Sequence, residues 1–142
     1  MIQVLLASLI FSAFSWSAFA GSNPPIPVGP VCSTQDANVC ARLLFLTPIS
    51  GNNEGLFFTD IFTPQDKEIR DFKIDLWMQM SPPGNGHGSR PLIVKVIDPN
   101  HFKVSNAWFM MDGEWQIRIH FNLENTAHEI ILPVSVLSKL TP

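Results

Sequence analysis

Phe72-Lys73-Ile74-Asp75-Leu76-Trp77-Met78-Gln79-Met80 is followed, after a loop rich in Pro, Gly and His, by Pro91-Leu92-Ile93-Val94-Lys95-Val96-Ile97. Then come Phe102-Lys103-Val104-Ser105-Asn106-Ala107-Trp108-Phe109-Met110-Met111 and, past Asp112-Gly113, Glu114-Trp115-Gln116-Ile117-Arg118-Ile119-His120-Phe121. These four runs are rich in β-branched and aromatic residues and are separated by turn residues, the pattern of an antiparallel meander or Greek key. In the first run Phe72, Ile74, Leu76, Met78 and Met80 share one face, while Lys73, Asp75, Trp77 and Gln79 share the other. Such period-two alternation marks a half-buried strand. In the last run Trp115, Ile117, Ile119 and Phe121 face inward and Gln116, Arg118 and His120 outward.

Working outward, residues 42–46 and 56–62 are two earlier strands, each stopped by a Thr-Pro pair. Residues 130–136 are a later one, whose Pro133 assigns it to a sheet edge or a bulge. With 69–80, 92–97, 102–111 and 115–121 this makes about seven strands, and no segment sustains a 3.6-residue period. The fold expected is all-β, an antiparallel immunoglobulin-like β-sandwich. Asp112-Gly113 between two alternating runs predicts a two-residue hairpin joining the fifth and sixth strands. Trp77, Trp108 and Trp115 are expected as core anchors in a chain with no Tyr.

Residues 4–19 are apolar and uncharged and end in Ala18-Phe19-Ala20, the core and cleavage site of a secretory signal peptide. Because Met1-Ile2-Gln3 carries no Lys or Arg, retention as an anchor is the alternative. The expected organisation is a signal peptide at 1–20, a proline-rich leader at 21–39 that contains the first cysteine, and a β-sandwich domain at 40–142. Pro24, Pro25, Pro27 and Pro30 keep the leader extended, as a tether or a pre-strand. A formal charge of −3 with no basic cluster gives no footprint for nucleic acid, and no membrane contact is expected once the signal peptide is removed. Cys32 and Cys40, in an exported chain and without Cys-x-x-Cys spacing, are expected to form a disulfide.

Chemistry is sparse. No Gly-x-Ser-x-Gly elbow, paired carboxylates or calcium loop is present, so the chain reads as a non-enzyme. His101, His120 and His128 read as surface residues at a turn, on an outer strand face and in a loop. Met78, Met80, Met110 and Met111 lie on two of the central strands, and His87 sits in a loop with Gly84, Gly86 and Gly88. Thioether sulfur selects Cu(I) and imidazole also suits copper, which makes these five residues the candidate metal ligands and copper the candidate ion. Methionine on an inward face also fills gaps in a core, so a metal-free structural role is the competing reading.

Leu76-Trp77-Met78, Gly86-His87-Gly88-Ser89, Phe102-Lys103-Val104-Ser105-Asn106-Ala107-Trp108-Phe109 and Met111-Asp112-Gly113-Glu114-Trp115-Gln116-Ile117 together resemble the YtkA-like domain family. These are small exported bacterial β-sandwich domains with a Trp-Met-Pro-x-Met-Gly-His-Gly segment and a later Met-Pro-Gly-x-Trp. The resemblance covers about half the mature chain in the right order. It places Met78, His87 and Met111 on the family's Met, His and Met positions and implies a periplasmic or secreted accessory domain concerned with copper. The chain departs from the pattern at Gln79 and Asp112, where the family has Pro, at the early Met80, and at the inserted residues 81–85. The expected partner is a copper ion or an envelope protein; the alternative is a metal-free structural or protein-interaction domain of the cell envelope.

Overall fold

The computed structural model describes residues 26–51, 53–80 and 85–137, apart from the side chains of Pro27, Gln79, Asn85 and His87. The expected signal peptide at 1–20 and the start of the leader lie outside these residues. Among the described residues nine strands follow one another: β1 (Ile26–Cys32), β2 (Cys40–Phe45), β3 (Glu54–Phe62), β4 (Arg70–Met80), β5 (Asn85–Gly88), β6 (Ile93–Asp98), β7 (His101–Trp108), β8 (Gly113–Leu123) and β9 (Thr126–Val136). A single 3-10 turn, Pro64–Asp66, is the only helical element among the described residues. Two antiparallel sheets result, one ordered β1-β2-β3-β7-β6 and the other β5-β4-β8-β9. The chain is thus an all-β sandwich, as its alternation requires.

Packing follows the alternation residue by residue. Leu43 and Phe45 of β2, Phe57 and Ile61 of β3, and Phe102 and Val104 of β7 supply one layer of the core. Trp115, Ile117, Ile119 and Phe121 of β8 and Ile130, Leu132, Val134 and Val136 of β9 supply the other. Each such side chain contributes roughly 1.5–3 kcal/mol on burial. Trp115 stands edge-on to Phe109, with ring centroids 5.5 Å apart. Pro133 sits on β9, the edge strand of its sheet, where its missing N–H costs no ladder bond.

Several expectations need correction. The strands number nine because part of the leader forms β1 and the Gly-His-Gly segment forms β5. The sandwich therefore takes in residues 26–39, which the sequence assigns to the leader; β1 pairs with β2 despite its prolines because it is an edge strand, with a bulge at Gly29 (φ 95). Asp112-Gly113 does not close a hairpin. β7 and β8 belong to different sheets, and residues 109–112 cross between them. The two-residue hairpin lies instead at Glu124-Asn125, where φ angles of 48° and 69° give the doubly left-handed turn that matches strand twist. Of the three tryptophans only Trp115 is fully buried; Trp108 is half-buried, its Nε1–H donating to Asn106 Oδ1 at 2.9 Å, and Trp77 lies on an outer face.

The side chains of Thr63 and Asn100 hold the connection between β3 and β4, the Thr63 hydroxyl donating to the Lys67 carbonyl at 2.6 Å. Asn100, in the β6–β7 turn with φ 62°, accepts from the Ile69 N–H at 3.0 Å and donates to the Lys67 carbonyl at 2.8 Å, while its own carbonyl accepts from the Ile61 N–H at 2.9 Å.

Cys32 and Cys40 are disulfide-bonded and are also Cα partners across the β1–β2 ladder. The bridge therefore fixes an edge strand of the sandwich. Replacing both cysteines by serine is expected to cost about 2–3 kcal/mol, the value for a loop this short. Urea unfolding should show a lower midpoint, with β1 amides exchanging first in hydrogen exchange; an unchanged midpoint would contradict this.

Candidate metal centre

The segment read as a flexible histidine loop is a strand. β5 pairs with β4 in the register Trp77↔Gly88, Met78↔His87, Gln79↔Gly86 and Met80↔Asn85. Directly opposed residues of an antiparallel pair bring their Cβ atoms to about 4.5–5.5 Å. Met78 and His87 are therefore ladder neighbours; the His87 side chain and residues 81–84 lie outside the described residues.

Gly86 of this hairpin has a structural reason. A Cβ at Gly86 would collide with the indole of Trp77, so the ring lies directly over Gly86 on the outer face of the sheet. From β8, Arg118 places its guanidinium 4.7 Å from the centre of a Trp77 ring and is itself held by Gln116 Oε1, 2.9 Å from Nη2. Trp77 thus clamps the hairpin from outside.

On its other side Met78 is opposed by Trp115 of β8. The Trp115 Nε1–H donates to the Met111 carbonyl at 2.9 Å, which ties the β7–β8 crossing to the core. Gly113, at φ 134°, has the Met78 methyl 2.8 Å from where a Cβ would stand. The crossing therefore passes over the end of the Met78 side chain. Met78 is half-buried, packed against the core without being enclosed by it. Met80, Met110 and Met111 are 36%, 52% and 42% exposed.

The fold thus brings Met78, the His87 backbone and the Met111 crossing to one corner, around Trp115. Met80 lies one ladder pair further out, opposite Asn85. Met110 and Met111 are on the crossing rather than on the expected fifth strand, because β7 ends at Trp108. Among the described residues no group of three or more His, Cys, Asp and Glu is arranged to hold a metal ion, so any donor set at this corner rests on thioethers.

The remaining histidines correct the surface reading in two cases of three. His120 is outward on β8, its Nε2 3.9 Å from Asp75 Oδ2 and 3.8 Å from Glu129 Oε1. His128 is buried on β9, stacked on Phe121 with ring centroids 5.5 Å apart and its Nδ1 3.3 Å from Ser33 Oγ. Ser33 donates its hydroxyl proton to Gln35 Oε1 and accepts from the Gln35 N–H at 3.2 Å. His128 is left to donate to Ser33, which is the opposite of what a nucleophile's base does. The alternation His128, Ile130, Leu132, Val134, Val136 carried this inward placement in the sequence.

His101, half-buried at the start of β7, stacks on Phe58 and contacts Asp60 Oδ1 through Nδ1 at 2.5 Å. Arg42 Nη2 bonds the other Asp60 oxygen at 2.8 Å. Neither link was legible, since the three residues come from β2, β3 and β7.

With these sites in view, the chain matches no family model, no curated protein and no solved structure.

Burial works to raise the Asp60 carboxyl, but the hydrogen bond from Arg42, then the bond and charge of His101, more than offset it and hold the group below its ordinary value of 3.8. A folded value below the unfolded one gives stability that is present above the ordinary value and lost as pH falls through the folded one. The urea midpoint of the wild type should therefore drop on acidification from about pH 5 towards about pH 2. In Asp60→Asn the drop should be smaller; equal slopes would exclude Asp60 as a contributor.

Proposed function

We propose that this chain is an exported periplasmic accessory domain that binds copper as Cu(I), through Met78 and His87 with Met111 from the β7–β8 crossing, and with Met80 and Met110 as outer thioethers. The observation that carries the reading is the Met78↔His87 ladder pair, which sets a methionine and a histidine at directly opposed backbone positions without any loop closure. Trp115 opposes Met78 and holds the Met111 carbonyl, so three of the four segments that resemble the YtkA-like pattern, 76–78, 86–89 and 111–117, meet at a single corner. The donor chemistry fits a soft monovalent ion. Met80, Met110 and Met111 are exposed and Met78 is half-buried, so these residues line the corner rather than fill the core. When bound there, copper would be stored or passed on; Met78 and His87 would ligate it, and Trp77 over Gly86 would keep their two strands in register.

Export is supported by the apolar segment at residues 4–19 and by the Cys32–Cys40 disulfide, a bond typical of oxidising compartments. No helix among the described residues is long and apolar enough to cross a membrane.

The test is a Cu(I) titration of the mature domain, kept reduced at the metal by ascorbate, against a chromophoric chelator. One equivalent should bind, and Met78→Leu and His87→Ala should each weaken binding by about tenfold or more. Leucine keeps the packing volume at 78, so lost affinity there reports the sulfur. No uptake, or variants that bind like the wild type, would leave the metal-free structural or interaction reading in its place.

A further inference from the structure

β6 ends its sheet, and every one of its residues is exposed. Val94 and Val96 nevertheless point between the sheets, because they oppose the buried Val104 and Phe102 and opposed residues share a face. Inward-facing valines that are 39% and 65% exposed are left largely uncovered by the second sheet.

The cause is the path of the chain. β5 pairs with β4 only along Trp77–Met80, and the Ser89 N–H to Leu76 carbonyl bond, 3.2 Å, is its last contact. Residues 89–92 then cross to the other sheet, where β6 pairs with β7. The edge of β4 at residues 72–75 is left without a neighbour on that side among the described residues. Ile74 has the parity of Leu76, so its N–H and C=O project into the gap, and among the described residues no turn or loop group bonds them.

Two clefts mark the ends of this gap. One, of about 380 Å³, is lined by Phe72, Val94, Val96 and Phe102, with Glu68 and Asp71 as its only charged residues. The other, of about 370 Å³, is lined by Ile74, Leu76 and Leu92, with Arg90 and Arg118 against one acid, Asp75. The slot is apolar along its length, acidic at one end and mainly basic at the other.

We propose that this slot receives an extended segment of a partner polypeptide. It pairs antiparallel with residues 72–75 of β4, in line with β5, and lays alternate apolar side chains on Phe72, Ile74, Val94 and Val96. Antiparallel pairing sets its amino end beside Arg90 and Arg118 and its carboxyl end beside Glu68 and Asp71. The matching segment therefore carries an acidic residue first and a basic residue last. A second copy presents the same open edge at its own residues 72–75, and sedimentation distinguishes it from a partner segment.

The experiment uses the mature domain without metal, so its outcome is independent of the copper reading. The probe is a capped synthetic peptide alternating valine and threonine, with glutamate at its amino end and lysine at its carboxyl end. Saturable binding by fluorescence anisotropy is expected, together with slowed hydrogen exchange at the Ile74 amide. Val96→Asp, at an exposed position that tolerates substitution, should weaken binding at least about tenfold, and the charge-reversed peptide should bind less tightly. Ile93→Asp, on the outer face of β6, should bind as the wild type does. Absence of saturable binding, indifference to Val96→Asp, or an unprotected Ile74 amide would overturn the proposal. A dimer detected by sedimentation and abolished by Val96→Asp would also overturn it, by giving the slot to a second copy.

Discussion

The sheet switch at residues 89–92 is the constraint on which the local architecture turns. Pro91 has no N–H to give a ladder and restricts the residue before it, so pairing with β4 cannot continue beyond the Ser89 to Leu76 bond. One extended run is thereby divided into β5 on one sheet and β6 on the other. At one end the division leaves a short hairpin with a methionine opposite a histidine. At the other it leaves an edge of β4 open beneath β6.

The strands at the hairpin end are packed in place without a ligand. Trp77 fills the space over Gly86 on the outside, Trp115 opposes Met78 on the inside, and the Trp115 indole ties down the crossing that carries Met110 and Met111. Two tryptophans on opposite faces thus hold three separate chain segments at one corner. Under the proposed copper reading, a thioether set by such packing would need little ordering on ion binding, which would favour affinity at a site with few donors.

Polar groups elsewhere serve the fold. Asn100 satisfies backbone groups of two connections at once, and Asp60 gathers Arg42 and His101 on an outer face. Ser33 and Gln35 give the buried His128 a partner, so burial of the imidazole does not leave Nδ1 unsatisfied.

The sequence by itself determined the fold class and the face on which most side chains lie. Alternation in residues 115–121 and 130–136 is a local property, and it placed Ile117, Ile119, Leu132 and Val134 in the core. It also determined the Cys32–Cys40 bond, because only two cysteines were available. Which sheet each strand joins was decided by tertiary structure alone. Asp112-Gly113 has the local chemistry of a hairpin, yet β7 and β8 lie in different sheets. The partnership of Met78 with His87 depends on a ladder register set by Trp77 against Gly86, and the Asp60 cluster on three strands far apart in sequence. Period-two patterning specifies which side of a strand is buried but not its neighbour, since any antiparallel partner satisfies the same backbone groups and only side-chain packing between distant segments distinguishes them.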